Sequence, residues 1–404
     1  RQRQMCIRDS SSATAIAMKK RCCRSLLLFL LLSFLFPSGF AACGKLFSSL
    51  FGVKYLTAMI ISAIVIVAYT TLGGFLAAST TDFIQSIIMS VALIVVLIFG
   101  VETAGGIGAV IHNASELPGY LSMTLSYDVN TGKAAPYSAL TIVSTAAWGL
   151  GYFGMPHILL RFMAIEDEKK LKLSRRVATI WVVISLFVAV FIGVIGYTMS
   201  KVGALEMLTG SNSETIIVKI SALLSQHGVI FALLAGVILA GILASTMSTS
   251  DSQLLAASSA VSSDILGAFR KDSSNKNGSM AAARITLLVI SVVAAFIARN
   301  PDSSVFAIVS FAWAGFGAAF GPVVLFSLFW KRTNKWGALA GMVCGGSMVF
   351  IWKYLIRPLG GIWNIYELLP AFLIACAAIV IVSLLTPKPS KEIEEEFDRV
   401  AQMK

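Results

Sequence analysis

Apolar runs of about twenty residues recur along this chain, and no other feature constrains its fold as strongly. In lipid, every backbone N–H and C=O must find its partner inside the segment. Long apolar runs therefore form helices, unless they close into a barrel. The two-residue alternation of barrel strands is absent here. With 57% hydrophobic and only 13% charged residues, the chain has too little charge to cover a soluble surface. The fold class that follows is all-α, a polytopic membrane protein set in a lipid bilayer.

Ten spans are expected, at 25–44, 55–78, 83–104, 138–163, 177–200, 228–256, 283–299, 304–330, 337–356 and 364–386. The loop holding Lys169, Lys170, Lys172, Arg175 and Arg176 is the most basic, which assigns it to the cytoplasm. Alternation then puts Arg270, Lys271 and Lys276, and also Lys331, Arg332 and Lys335, on the same side. The long 105–137 connection falls outside. Residues 1–18 lack periodicity and read as a leader foreign to the fold. Residues 19–386 form the transmembrane domain, and 387–404 a charged cytoplasmic tail, a short solvated helix or a disordered segment. The basic residues Lys19–Arg24 before LLLFLLLSFLF, with Ala41-Ala42-Cys43 after it, imitate a lipoprotein signal peptide. Because a membrane protein follows, the segment is read as a first span.

The net charge of +12 is spread in short clusters between apolar runs, as orientation signals are, so it points to no nucleic acid. The six cysteines show no CxxC spacing, and His112, His157 and His227 are too scattered to form a ligand set. No Walker A loop, nucleophile elbow or HExxH occurs, so the expected class is a transporter rather than an enzyme. Energy would then come from an ion gradient. About 100 mV supplies roughly 2.3 kcal/mol per charge, and a tenfold sodium gradient about 1.4 kcal/mol more.

Two segments depart from ordinary lipid-facing helices. In STAAWGLGYFGMPHILLRF, Gly149, Gly151, Gly154 and Pro156 disfavour a regular helix, and Trp148, Tyr152 and Pro156 recur every fourth residue. Irregular backbone at membrane depth is tolerated where it is buried in protein or lines a cavity, and interrupted spans are the best sequence pointer to a transporter's binding site. Freed amides and carbonyls there suit a small zwitterion; the alternative is that the glycines only permit close packing. In LAGILASTMSTSDSQLLAASSA, Ser245, Ser248, Thr249 and Ser252 form a hydroxyl stripe at i, i+3, i+4 and i+7. Such oxygens suit sodium, or they simply bond back to their own turn. Asp251 is placed near the cytoplasmic mouth as a solvated residue, Asp82 is either a helix N-cap or an ion-path carboxylate, and Arg161 is expected to snorkel to the interface. The glycine- and alanine-rich Ser310–Trp330 segment suits close packing, as a gating helix beside the cavity.

WGLGYFGMPHILLRFMA, ILASTMSTSDSQLLAASSA and FAWAGFGAAFGPVVLFSLFW closely resemble the sodium/solute symporters, and within that family its proline-carrying bacterial branch. The similarity runs from about Ala41 to Leu385. It implies an inverted-repeat core of five plus five helices, with about three N-terminal spans of the family, the first core helix among them, missing from the sequence. The resemblance implies that Trp148, Tyr152 and Pro156 contact proline. It likewise implies that Ser248 and Thr249 offer hydroxyls, and Ser245 its carbonyl, to a co-transported sodium ion, and that Asp82 serves ion passage. Other solutes of the family, such as pantothenate, a sugar or another amino acid, are the alternative substrates. Ser245 stands where proline transporters carry alanine, and Met155 replaces a glutamine found in some relatives.

Overall fold

The computed structural model describes residues 37–128, 131–163, 165, 167–259, 276–300 and 304–402. The expected leader, the first part of the 25–44 span and the loop with Arg270 and Lys271 lie outside the described residues.

Thirteen helices among the described residues account for most of the chain. Helix α1 (Pro37–Phe51) runs beyond the expected end of the first span, because nothing stops it before Gly52, whose φ is +64. Helix α2 (Tyr55–Thr103) holds both expected spans, 55–78 and 83–104, with helical backbone continuing through the junction between them. It cannot be straight. The Tyr69 hydroxyl lies 3.4 Å from the Met247 carbonyl, while Ala92 fills the space beside Gly241. From Tyr69 to Ala92 a straight helix would extend about 34 Å, against about 9 Å between Gly241 and Met247. The two arms of α2 therefore fold toward each other, and the pair Gly73–Gly74 is the kind of sequence that lets a helix bend.

Helix α3 (Ile107–Ser115) and an antiparallel hairpin, β1 (Leu125–Asp128) with β2 (Lys133–Pro136), fill the 105–137 connection. The 138–163 span is broken, as expected. It comprises α4 (Ala139–Ala146), a 3-10 segment (Ala147–Gly154) and α5 (Pro156–Met163). Next come α6 (Leu171–Lys201), α7 (Ile216–Ser225), α8 (Val229–Ser259) and α9 (Lys276–Ile297). The chain closes with α10 (Val305–Phe329), α11 (Lys335–Ile351), α12 (Leu368–Leu385) and a tail helix, α13 (Lys391–Gln402). Six of the described helices are long and apolar enough to cross a membrane, and Tyr55–Thr71 and Ala283–Ile297 are shorter apolar stretches.

Two bodies of packing position the site. Helix α8 lies against α2, α7 and α9, and α10 lies against the 3-10 segment, α11 and α12. Association in lipid depends on close van der Waals contact, which small residues permit. At Gly345 of α11 an added methyl would sit 2.2 Å from the Ala318 carbonyl of α10. That carbonyl is left free because Pro322, four residues on, has no N–H to offer it. Asn334 starts α11 by accepting from the amides of Trp336 and Gly337, at 3.1 and 2.9 Å. Its amide nitrogen donates to Thr386 and Pro387, at 2.7 and 2.9 Å, tying that start to the end of α12.

Candidate functional site

The break in the fourth expected span follows from its residues. Each glycine adds backbone freedom, and Pro156 removes an N–H and disfavours helix in the residue before it. The backbone tightens into a 3-10 turn over Ala147–Gly154, extends at Met155 (φ −81, ψ 110) and resumes as α5 at Pro156. Three residues per turn replace 3.6, so Trp148 and Tyr152 do not share the face that an α-helix would give them. Trp148 is the centre of an aromatic cluster. Its ring stacks with Phe306, Trp313 and Tyr366 at centroid distances of 5.6, 5.5 and 5.7 Å. Tyr152 meets Trp313 edge-on at 4.8 Å and is 45% exposed, and Phe306 is exposed as well, so the cluster is open at both rings. Pro156 is half-buried.

The segment can approach α10 only because of its glycines. A methyl group on Gly154 would lie 2.3 Å from the Phe316 carbonyl, and one on Gly151 would lie 2.0 Å from the Trp313 indole nitrogen. That indole donates to the Trp148 carbonyl at 2.9 Å. The Ser144 hydroxyl oxygen accepts from the Tyr366 amide at 2.7 Å, and the Tyr366 hydroxyl donates to the Ser310 carbonyl at 2.6 Å.

On α8, Ser248 and Thr249 both donate to the Ser245 carbonyl at 3.2 Å, the back-bonding that the spacing left open. The same bonds gather the three expected sodium ligands into one triangle of oxygens. Thr249 is exposed and Ser248 half-buried, so the triangle is accessible. Ser252, one turn on, accepts from Arg161 of α5 at 2.8 Å. Arg161 also pairs with Asp82 of α2 at 2.5 Å. Helix α5, which follows the aromatic segment, and the hydroxyl helix are thereby joined through one guanidinium.

Two expectations fall here. Asp82 does not cap a helix, because α2 is continuous around it; it is a nearly buried carboxylate held by Arg161, whose own side chain stays half exposed. Asp251 is not solvated. It is fully buried, and its carboxylate accepts from the Tyr69 hydroxyl at 2.5 Å and the Ser252 hydroxyl at 3.2 Å. Near these groups, Asp82 Oδ1, Gln85 Oε1 and His157 Nδ1 are buried without a hydrogen-bond partner among the described residues.

Sequence reading missed Trp313, Tyr366 and Phe306 as neighbours of Trp148. It also missed Glu214, in the turn between α6 and α7. That carboxylate binds Lys45 of α1 at 2.8 Å, the Ser304 hydroxyl at 2.7 Å, and the amides of Val305 and Phe306 at 3.2 Å each. Partial burial pushes its pKa up, but Lys45, Ser304 and the two amides outweigh this and leave it below the ordinary value. A separate polar cavity of about 420 Å³, lined by Lys45, Tyr55, Glu206, Asn212 and Lys219 among others, shares no lining residue with the aromatic cluster or the hydroxyl triangle.

The model of the sodium:solute symporter family matches residues 18–345. This chain belongs to that family. The osmoregulated proline transporter OpuE of Bacillus subtilis (strain 168) is 38% identical over 354 residues, 88% of this chain and 68% of that protein. The sodium/proline symporter of Haemophilus influenzae (strain ATCC 51907 / DSM 11121 / KW20 / Rd) is 40% identical over 368 residues, 90% of this chain and 70% of that protein. The high-affinity proline transporter PutP of Bacillus subtilis (strain 168) is 38% identical over 368 residues, 91% of this chain and 73% of that protein. Among solved structures, the substrate-bound outward-open state of a Na+-coupled sialic acid symporter matches with a TM-score of 0.73 and 18% identity. It covers 95% of this symporter and 78% of that chain. The all-α symporter core implied by the sequence is thus the fold of this symporter.

Proposed function

We propose that this symporter imports proline together with sodium by alternating access. It is a transporter and not an enzyme, and it lies in a bacterial inner membrane with its C-terminal tail in the cytoplasm. The observation that carries this reading is the 3-10 break at Ala147–Gly154, where polar backbone lies beside an aromatic cluster that is open at Tyr152. Irregular backbone at this depth supports a binding site, because only a cavity or protein can surround it. Tyr152 and Trp148 supply apolar walls with polar edges for the pyrrolidine ring. Pro156 sets where α5 restarts, and the free amides and positive dipole end of that helix favour a carboxylate.

Sodium binds at the Ser245 carbonyl with the Ser248 and Thr249 hydroxyls, which already lie 3.2 Å from that carbonyl. Hard cations prefer such oxygen ligands, and neutral ones hold the ion without trapping it. Asp82 serves ion passage at the inner end, a role supported by its unpartnered Oδ1 and those of its neighbours Gln85 and His157. The names of the relatives, proline transporters at 36–40% identity, favour proline over other solutes of the family. Competition of radiolabelled proline uptake by pantothenate, sugars and other amino acids tests the assignment. Proline should displace the label, and stronger displacement by another solute would reassign the substrate.

A further inference from the structure

Trp313 is the one tryptophan of FAWAGFGAAFG, a stretch of α10 in which small residues alternate with Phe311, Phe316 and Phe320. It is 9% exposed, yet its indole makes three different contacts with the broken segment. The N–H donates to the Trp148 carbonyl at 2.9 Å. The ring stacks on the Trp148 ring at 5.5 Å, with 15° between planes, and receives the Tyr152 ring edge-on at 4.8 Å. The absence of a side chain at Gly151 makes room for it, since a methyl there would stand 2.0 Å from the indole nitrogen.

A 3-10 turn binds its carbonyls less well than an α-helix does, and a carbonyl at membrane depth that finds no donor carries the full desolvation cost. The Trp313 N–H meets that need at Trp148. The same ring fixes the orientation of both aromatic side chains assigned to the substrate. We infer that Trp313 is the positioning residue of the substrate segment: its indole holds the Trp148 carbonyl and sets the angle of the Trp148 and Tyr152 rings, so it governs solute affinity without touching sodium. This rests on the reading of Trp148 and Tyr152 as the substrate wall.

Phe306 and Tyr366 also stack on Trp148, but the bonds they make run elsewhere. Tyr366 is tied to Ser144 and Ser310, and Phe306 is largely exposed. Of these three, Trp313 is the side chain that both stacks on Trp148 and hydrogen-bonds to the backbone of the 147–154 segment.

The test uses the intact protein, in cells and purified in lipid nanodiscs. Trp313→Phe keeps an aromatic ring and removes the donor. It should raise the proline concentration for half-maximal uptake about tenfold, a change equal to roughly 1.4 kcal/mol. Maximal rate, surface abundance and the sodium concentration for half-maximal uptake should stay within twofold. A merely structural loss would lower abundance or maximal rate and leave the half-saturation concentration alone, and that result overturns the inference. In the nanodisc sample, amide exchange followed by mass spectrometry should quicken in 147–154 and not in α11–α12. That reading does not depend on which solute is carried, so unchanged exchange refutes the positioning role even if proline proves to be the wrong substrate. Gly151→Ala provides a second variant should Trp313→Phe fail to fold. It should weaken proline affinity in the native background, and much less when combined with Trp313→Ala, where the indole it collides with is gone. Additive effects in that cycle would also refute it.

Discussion

Removing the Glu214 carboxylate should loosen the start of α10. In Glu214→Ala four hydrogen bonds disappear together, to Lys45, Ser304 and the amides of Val305 and Phe306. Hydrogen bonds to charged groups contribute about 1.5–3 kcal/mol, and loss of a side-chain helix cap costs about 0.5–2 kcal/mol. The side chain is 26% exposed, so water replaces part of what is lost, and Ser304 still caps α10 through the Ala307 amide. A net cost of about 2 kcal/mol follows, roughly a thirtyfold shift in a local opening equilibrium. The assay is hydrogen exchange at 304–308 in nanodiscs, with thermal stability measured in parallel. The pH dependence provides an internal check. The carboxylate is held below its ordinary value of 4.5 in the folded protein, so its contribution is complete above pH 4.5 and fades as pH falls through the lower, folded value. The difference between the native protein and Glu214→Ala should be flat from pH 8 to about 5, and should narrow in acid. Unchanged exchange at 304–308, or a difference that widens in acid, would refute the capping argument.

Ser248→Ala combined with Thr249→Ala removes two sides of the oxygen triangle and should raise the sodium concentration for half-maximal uptake at least tenfold; an unchanged sodium requirement rejects the ion site. Trp148→Ala removes the centre of the aromatic cluster and should weaken proline affinity about tenfold or more, which a half-saturation measurement reads directly. Gly345→Ala drives a methyl into the Ala318 carbonyl, and overpacking of this kind costs about 1–3 kcal/mol. Its thermal midpoint in detergent should fall by several degrees, whereas Ala substitution at Gly236, where nothing lies within 4 Å, should leave it unchanged.

The broken span was legible because Gly149, Gly151, Gly154 and Pro156 act through local backbone sterics, which sequence carries directly. Its closure was not. Trp313 is 165 residues from the carbonyl it binds, and it shares its stretch with Phe311, Phe316 and Phe320, so no pattern singled it out. Hydropathy put Asp251 at a water-facing helix end; Tyr69, 182 residues away, buries it instead, and no periodic pattern announces such a pair. The same holds for Arg161 and Asp82, and for Glu214 in the polar stretch GSNSET. The bend in α2 was legible only as a boundary between the expected spans 55–78 and 83–104; that helical backbone continues across it was not. The hairpin in the 105–137 connection carried a turn signal, Asn130-Thr131-Gly132, that the search for spans passed over; Gly132 has φ +67.

The central claim is that a glycine-broken segment and a hydroxyl-striped helix serve one coupled site. Uptake of radiolabelled proline by cells expressing the intact protein, measured with sodium and with sodium replaced by choline, tests it most directly. The account predicts accumulation that requires sodium and collapses in choline. Equal uptake in both media, or none in either while another solute is accumulated with sodium, would contradict it.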